Sequence, residues 1–155
     1  MIFASISHHA FQCILLLLIL LAFVKLNLKA YKLLMKKLYI FELSDIFANQ
    51  VYLPYSSGVV WSHVKNDPYI KKNYELKDWF FAREDAQSII SKIVDPDILI
   101  FSCFMWNWNL NCEIASQIKK NFPSCKIYFG GQHQPLADRN SNFFKKFPFV
   151  DVLIH

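Results

Sequence analysis

The sequence of 155 residues lacks several patterns that would point to a particular chemistry. Its four cysteines, Cys13, Cys103, Cys112 and Cys125, form no CxxC pair and no metal-ligand spacing, so we expect reduced thiols, most of them buried. No Ser/His/Asp set or paired carboxylates stand out, which argues against a hydrolase. No basic face recurs along the chain despite a formal charge of +5, so we expect no nucleic-acid partner.

Charge is absent from residues 10–24, AFQCILLLLILLAFV, and five lysines follow within residues 25–37. These fifteen residues are fewer than the roughly 20 that a membrane-spanning helix needs. A secretory signal carries its positive charges before the apolar run, so the segment does not fit one. We interpret residues 1–34 as an apolar N-terminal helix that is either a leader or a membrane anchor through residues 10–28. The alternative is that translation starts at Met35, which opens MKKLYIFELS.

The expected localisation depends on the apolar run of residues 10–24. The positive-inside rule would place residues 30–155 in the cytoplasm if the apolar run inserts. We therefore expect a cytoplasmic protein, with anchoring to the inner face of the cytoplasmic membrane as the variant. Residues 1–34 and 35–155 are predicted to be separate regions.

Apolar runs alternate with helical periodicity from residue 38 onward. Strands are predicted at 38–43, 74–81, 97–104, 125–131 and 150–155. Helices are predicted at 58–67, 83–97 and 107–123, with a loop at 45–58 and a short helix or turn at 141–148. This alternation is typical of βαβ units, so we expect an α/β domain with a parallel five-stranded sheet.

Polar residues and glycines cluster after three of these strands, in SDIFANQ, SCFMWNWN and GGQHQP. Ligands of parallel α/β sheets bind outside the carboxyl ends of the strands, so this edge is the predicted site. Two glycines there would let the backbone approach a ligand closely, although a Gly-Gly pair after a strand is also an ordinary tight turn.

Three blocks resemble a known family: PDILIFSCFMWNWNLNCEIASQIKKNFPSCKIYFGGQHQP, FFKKFPFVDVLIH and NQVYLPYSSGVVWSHVK. Together they are similar to the amino-terminal cobalamin-binding domain of cobalamin-dependent radical S-adenosylmethionine (SAM) enzymes, over roughly residues 38–155. The resemblance implies a flavodoxin/Rossmann-like three-layer domain. It also implies that cobalamin binds with its corrin ring at the carboxyl edge of the sheet.

The resemblance also implies a set of cofactor-binding residues. The loop between Asn49 and Gly58 would border the corrin, Ser102 and Cys103 would face the nucleotide tail of cobalamin, and the Gly-Gly segment would line the same groove. The full set is Asn49, Gln50, Tyr52, Leu53, Pro54, Ser57, Gly58, Ser102, Cys103, Gly130, Gly131, Gln132 and His133.

The sequence departs from related patterns at two points. Cobalamin domains of the methionine-synthase type place a cobalt-ligating histidine in DxHxxG after the first strand; here Asp45 is followed by Phe47 at the histidine position, so we expect no protein ligand to the metal. No CxxxCxxC occurs, so an iron–sulfur cluster and SAM belong only to a full-length parent, and this chain is not expected to be a radical enzyme by itself. We expect a domain incomplete at its C-terminus, whose partner could be a separate radical SAM barrel chain.

Simpler roles compete at individual residues. His133 could lie in a solvent-facing loop, Trp106 and Trp108 could pack against neighbouring elements instead of a macrocycle, and Cys103 could be an apolar filler. A receiver-like signalling domain shares the strand order but needs an aspartate where the third strand offers Ser102, so we reject it. An inert or membrane-anchored fragment without a ligand remains the alternative function.

Overall fold

The computed structural model describes residues 16–27, 35–48, 50–133 and 142–154. The chain divides into two compact units, Met1–Met35 and Lys36–His155. Within the first unit, residues 16–27 are helical and form α1. The predicted apolar N-terminal helix is therefore confirmed over these residues.

No helix in the described ranges is both long and apolar enough to cross a membrane. The membrane anchor expected through residues 10–28 thus gains no support. The remainder of that segment, residues 10–15 and 28, lies outside the described residues.

The second unit is an α/β domain. In chain order its elements are β1 (Lys36–Ser44), β2 (Ile46–Phe47), β3 (Gln50–Val51), α2 (Tyr55–Val64), α3 (Pro68–Asn73), β4 (Tyr74–Ala82), α4 (Ala86–Ser91), β5 (Ile98–Ser102), α5 (Trp108–Asn121), β6 (Lys126–Gly130), α6 (Phe143–Lys146) and β7 (Val152–Ile154). Five strands form a parallel sheet in the order β4-β1-β5-β6-β7. This order is the doubly wound, flavodoxin-like arrangement, so the predicted fold class is confirmed.

Successive side chains of each strand point to opposite faces of the sheet, and the two faces differ in how deeply they are buried. On what we call the α5 face, Phe41, Phe101 and Phe129 are fully buried beneath α4, α5 and α6. On the α2 face, Ile40, Ile100 and Tyr128 look toward α2 and α3 and line an open groove. The main core therefore lies on the α5 face, while the α2 face keeps an open groove.

Several predicted boundaries differ from the structure by a few residues, two regions differ more, and helix α3 was not predicted. The loop predicted at 45–58 contains the β2–β3 hairpin and the first turn of α2, which starts at Tyr55 and not at residue 58. The helix predicted at 83–97 covers only Ala86–Ser91, because Asp85 caps it by accepting a hydrogen bond from the Ser88 amide at 2.9 Å. Beyond its end, Asp95 adopts a φ of 49°, which a continuing right-handed helix does not allow.

Candidate functional site

The strand order creates a crevice at one position of the carboxyl edge. The chain leaves β1 toward α2 on one face of the sheet, whereas it leaves β5 toward α5 on the other face. The two connections diverge from neighbouring strands, and such a switch point is where α/β sheets bind ligands. The candidate site is therefore the edge between the ends of β1 and β5.

A groove of about 450 Å³ extends from this edge down the α2 face. Its floor is apolar near the middle of the strands, where Ile40, Ile100 and Tyr128 lie side by side. Nearer the carboxyl edge the floor residues are small, with Ser102 paired in register with Gly130. The groove is thus almost entirely apolar, and the Ser102 hydroxyl is a polar group on its floor near the carboxyl edge.

Helix α2 forms one wall of the groove, and a glutamate of β1 holds its first turn. Glu42 accepts hydrogen bonds from the backbone amides of Ser56 at 3.2 Å and Ser57 at 2.7 Å, and from the Ser57 hydroxyl. The Ser57 oxygen in turn accepts a hydrogen bond from Nε1 of Trp79 at 3.1 Å. This network ties α2 to both β1 and β4, and the sequence reasoning missed Glu42.

A buried asparagine ties the two sides of the crevice together. Nδ2 of Asn107 donates to the Leu43 carbonyl at 3.1 Å and to the Ser102 carbonyl at 3.0 Å, at the ends of β1 and β5. Its Oδ1 accepts from the Phe104 amide at 2.8 Å and from Nδ2 of Asn111 at 3.1 Å. Nothing in the local sequence identified Asn107 as a link between the strands, because the Leu43 carbonyl lies 64 residues away.

The turn between β5 and α5 presents an aromatic surface at the edge. Trp106 is half exposed and stacks on Phe104 with centroids 4.6 Å apart and rings 4° from parallel. The Trp106 carbonyl accepts a hydrogen bond at 2.9 Å from Arg83, whose guanidinium also pairs with Asp45 at 2.8 Å. Trp106 is one of the two tryptophans considered for stacking on a macrocycle, and its ring is partly exposed to solvent.

Trp108 has a different environment. Its ring meets Phe129, Phe143, Phe147 and His133 edge-on, at centroid distances of 5.2 to 6.4 Å. These contacts join α5 to β6 and α6. Trp108 therefore packs against neighbouring elements, which is the simpler of the two roles considered for it.

The adjacent glycines have distinct surroundings. A Cβ on Gly131, whose φ is +105°, would lie 2.7 Å from the backbone oxygen of Cys103, whereas a Cβ on Gly130 would make only an ordinary 3.5 Å contact with Ile154. Backbone hydrogen bonds also join the two loops, from the Cys103 amide to the Gly130 carbonyl at 2.6 Å and from the His133 amide to the Cys103 carbonyl at 3.1 Å. The close approach at Gly131 is thus made by this protein's own backbone.

The structure brings some of the predicted site residues together and separates others. Ser57, Ser102, Gly130 and Gly131 line the groove, and Gly58 lies in the first half of α2, facing Trp79. Five of the predicted site residues are exposed: Gln50, Tyr52, Leu53, Gln132 and His133. Pro54 is half exposed just before α2. Cys103 is fully buried in the core on the α5 face, away from the groove, as expected of an apolar filler. Asn49 lies outside the described residues.

The other two described cysteines offer no nucleophile at neutral pH. Burial raises the pKa of the Cys112 thiol to about 11, against a small opposing effect of Lys146. Burial likewise raises the pKa of Cys125 to about 12, although Lys119 lies close enough to oppose the shift. Both thiols stay protonated and serve as packing groups.

Two characterised proteins are similar to this chain. One is the 2-(S-pantetheinyl)-carbapenam-3-carboxylate methyltransferase of Streptantibioticus cattleyicolor, 33% identical over 104 residues. The other is the cobalamin-dependent radical SAM methyltransferase TokK of Streptomyces tokunonensis, 35% identical over 104 residues. Each match covers 67% of this chain but only 15% of the relative's length. No family model matches the chain.

The similarity is strong enough to confirm the resemblance found in the sequence, and the parallel five-stranded fold agrees with it. The chain is therefore homologous, over part of their length, to the cobalamin-dependent radical SAM methyltransferases.

Proposed function

We propose that residues 36–154 form a cobalamin-binding module that holds the corrin at the carboxyl edge of the sheet. The observation that supports this most directly is the groove at the switch point between β1 and β5. A relative 35% identical to this chain is cobalamin-dependent, which suggests the ligand for that groove.

The residues present fit the chemistry of cobalamin. Its nucleotide tail ends in a flat, apolar benzimidazole joined to a polar ribose phosphate. The floor around Ile100 and Tyr128 suits the aromatic ring, and the hydroxyl of Ser102 at the mouth suits the sugar and phosphate. The absence of a side chain at Gly130 leaves room between them.

The corrin would lie over the edge outside the groove. Exposed apolar side chains are available there from Tyr52 and Leu53 on one side of the crevice and from Trp106 on the other. A flat macrocycle gains from such contacts because aromatic and aliphatic side chains remove its faces from water. Gln132 and His133 are exposed in the loop after β6, and in this proposal they contact the polar side chains of the ring.

Cobalamin supplies a reactive cobalt centre able to carry a methyl group. The residues of this chain bind and orient it and exclude water from its tail. The relatives are several times longer than the matched region, so we propose that the chemistry needs a radical SAM barrel, from a longer protein or a separate chain, with its own iron–sulfur cluster and SAM.

The test is an absorbance titration of the full chain with hydroxocobalamin. Ser102→Leu should fill the mouth of the groove, and we expect it to weaken binding at least tenfold. The matched control is Ser91→Leu, since Ser91 is exposed on α4, which packs on the other face of the sheet. Circular dichroism of each variant verifies that the fold is intact.

A saturable shift of the corrin bands that Ser102→Leu weakens and Ser91→Leu leaves unchanged would support the module. A folded wild-type chain that leaves the spectrum unchanged would favour the alternative, a fragment that binds no ligand. Equal weakening by both variants would place the ligand elsewhere.

A further inference from the structure

Helix α2 forms a wall of the groove without being held by core packing. None of its residues is buried, and Val59 and Val60 are more than half exposed. Most helices of a globular domain are fixed by an apolar stripe packed on the core, and α2 does not have that attachment. Its position must be fixed in another way.

The start of α2 also lacks the usual local caps. Its N-cap residue is Pro54, which makes no side-chain hydrogen bond, and its first turn contains no acidic residue. The amides of a first helical turn have no partners within the helix, so buried ones need an acceptor from elsewhere. The sequence around α2 supplies none.

Glu42 provides this acceptor from a distant part of the chain. Its carboxylate, 7% exposed, accepts from two first-turn amides, Ser56 at 3.2 Å and Ser57 at 2.7 Å. A buried carboxylate is unfavourable unless it is hydrogen-bonded, and the positive end of a helix dipole is a favourable partner. A second tie comes from Trp79 of β4, through the Ser57 hydroxyl.

We infer that Glu42 is a positioning residue that anchors α2 and so sets the width of the groove. The identity of the ligand in this inference, cobalamin, rests on the proposed function. Glu42 acts through Ser56 and Ser57, because both carboxylate oxygens are already engaged by α2.

The experiment compares Glu42→Gln with the wild-type full chain by hydrogen–deuterium exchange without ligand. Glutamine keeps the size of the side chain but turns an amide group toward one of the helix amides. We expect exchange in residues 55–64 to become at least tenfold faster, while β5 and β6 keep their wild-type rates. The matched control, Glu113→Gln, changes an exposed glutamate of α5 and should leave α2 unaffected.

The same variants are then titrated with hydroxocobalamin, and we expect Glu42→Gln to raise Kd at least tenfold. Ser57→Ala, which removes the link to Trp79, should act in the same direction. Unchanged exchange in α2 would overturn the inference, because Glu42 would then not anchor the helix. Faster exchange spread evenly over the sheet would also overturn it, because Glu42 would then stabilise the domain as a whole. Faster exchange with an unchanged Kd would overturn its role in setting the groove.

Failure of the proposed function can be distinguished from failure of this inference. A wild-type chain that does not shift the hydroxocobalamin spectrum overturns cobalamin binding. The exchange comparison contains no ligand, so it still decides whether Glu42 anchors α2.

Discussion

At the scale of single residues, the two adjacent glycines show that identical residues can have different structural roles. Gly131 has a φ of +105° and would place a Cβ 2.7 Å from the Cys103 carbonyl oxygen. Gly130 has neither constraint and lies in the floor of the groove. Gly131 is therefore required by the fold, while Gly130 is not constrained by its backbone conformation or by a close contact.

We expect Gly131→Ala to lower the free energy of unfolding by about 2–4 kcal/mol, since it combines a left-handed backbone with a clash against backbone atoms that cannot move aside. Urea denaturation followed by circular dichroism measures this. Gly130→Ala is the control and should change stability by less than about 1 kcal/mol. Equal losses in the two variants would show that the close approach at Gly131 is not the cause.

The neighbouring tryptophans provide a second contrast. Trp108→Ala should lower the free energy of unfolding by about 3 kcal/mol or more, because the Trp108 ring contacts four other aromatic rings. Trp106→Ala should cost about 1 kcal/mol or less, because that ring is half exposed and stacks only on Phe104 among the described aromatic residues. Thermal and urea unfolding of both variants provide the comparison, and a larger loss for Trp106 would contradict it.

At the scale of elements, a single carboxylate joins β6, α5 and the start of β7. Asp151 accepts hydrogen bonds from Nζ of Lys119 at 2.7 Å and from the Ile127 amide at 2.8 Å, and it pairs with Lys126 at 3.2 Å. Burial by itself would raise the pKa of Asp151, but these three donors together lower it below its ordinary value of 3.8. The charged form is therefore the one that stabilises the fold.

A lowered pKa in the folded state gives stability that is present above the unfolded pKa of about 3.8 and is lost as pH falls through the folded pKa. We expect Asp151→Asn to lower the free energy of unfolding by about 1–3 kcal/mol at pH 7. On acidification below about pH 4, the free energy of unfolding of this variant should fall less than that of the wild type. Urea midpoints between pH 7 and pH 2.5 test this. A constant difference between the two proteins across that range would contradict the role of the charge.

The helix α2 illustrates what elements gain from distant residues. Its sequence predicts a helix from residue 58, but the helix begins at Tyr55. The additional turn is stabilised by Glu42, which lies 14 residues from Ser56 in the sequence. Helix boundaries set by such contacts cannot be found from periodicity, since the partner is not in the window being examined.

At the scale of the whole molecule, the buried aromatic and aliphatic core belongs to the unit Lys36–His155. We expect a chain beginning at Met35 to fold alone and to unfold at the same urea midpoint as the full chain, because it retains every buried core residue among those that the structure describes. Circular dichroism at 222 nm measures both transitions. A clearly lower midpoint for the shorter chain would show that residues 1–34 contribute to the stability of the α/β domain.

The sequence by itself determined the five strands of the parallel sheet, their alternation with helices and the relationship to cobalamin-dependent enzymes, but it missed the β2–β3 hairpin and α3. The features that it determined depend on local apolar runs and on ordered blocks of residues, which are visible in one dimension. It also placed Ser102 and the glycine pair at the carboxyl edge of the sheet, because the carboxyl ends of parallel strands always meet at one edge.

Only the tertiary structure decided which side chains face the groove and what holds its walls. Strand alternation puts the adjacent Ser102 and Cys103 on opposite faces, but only the folded structure shows that the groove lies on the Ser102 face. Asn107 bonds to Leu43 across 64 residues, and Gly131 is constrained by the backbone of Cys103. Such contacts depend on the folded path of the chain, so no local pattern could have shown them.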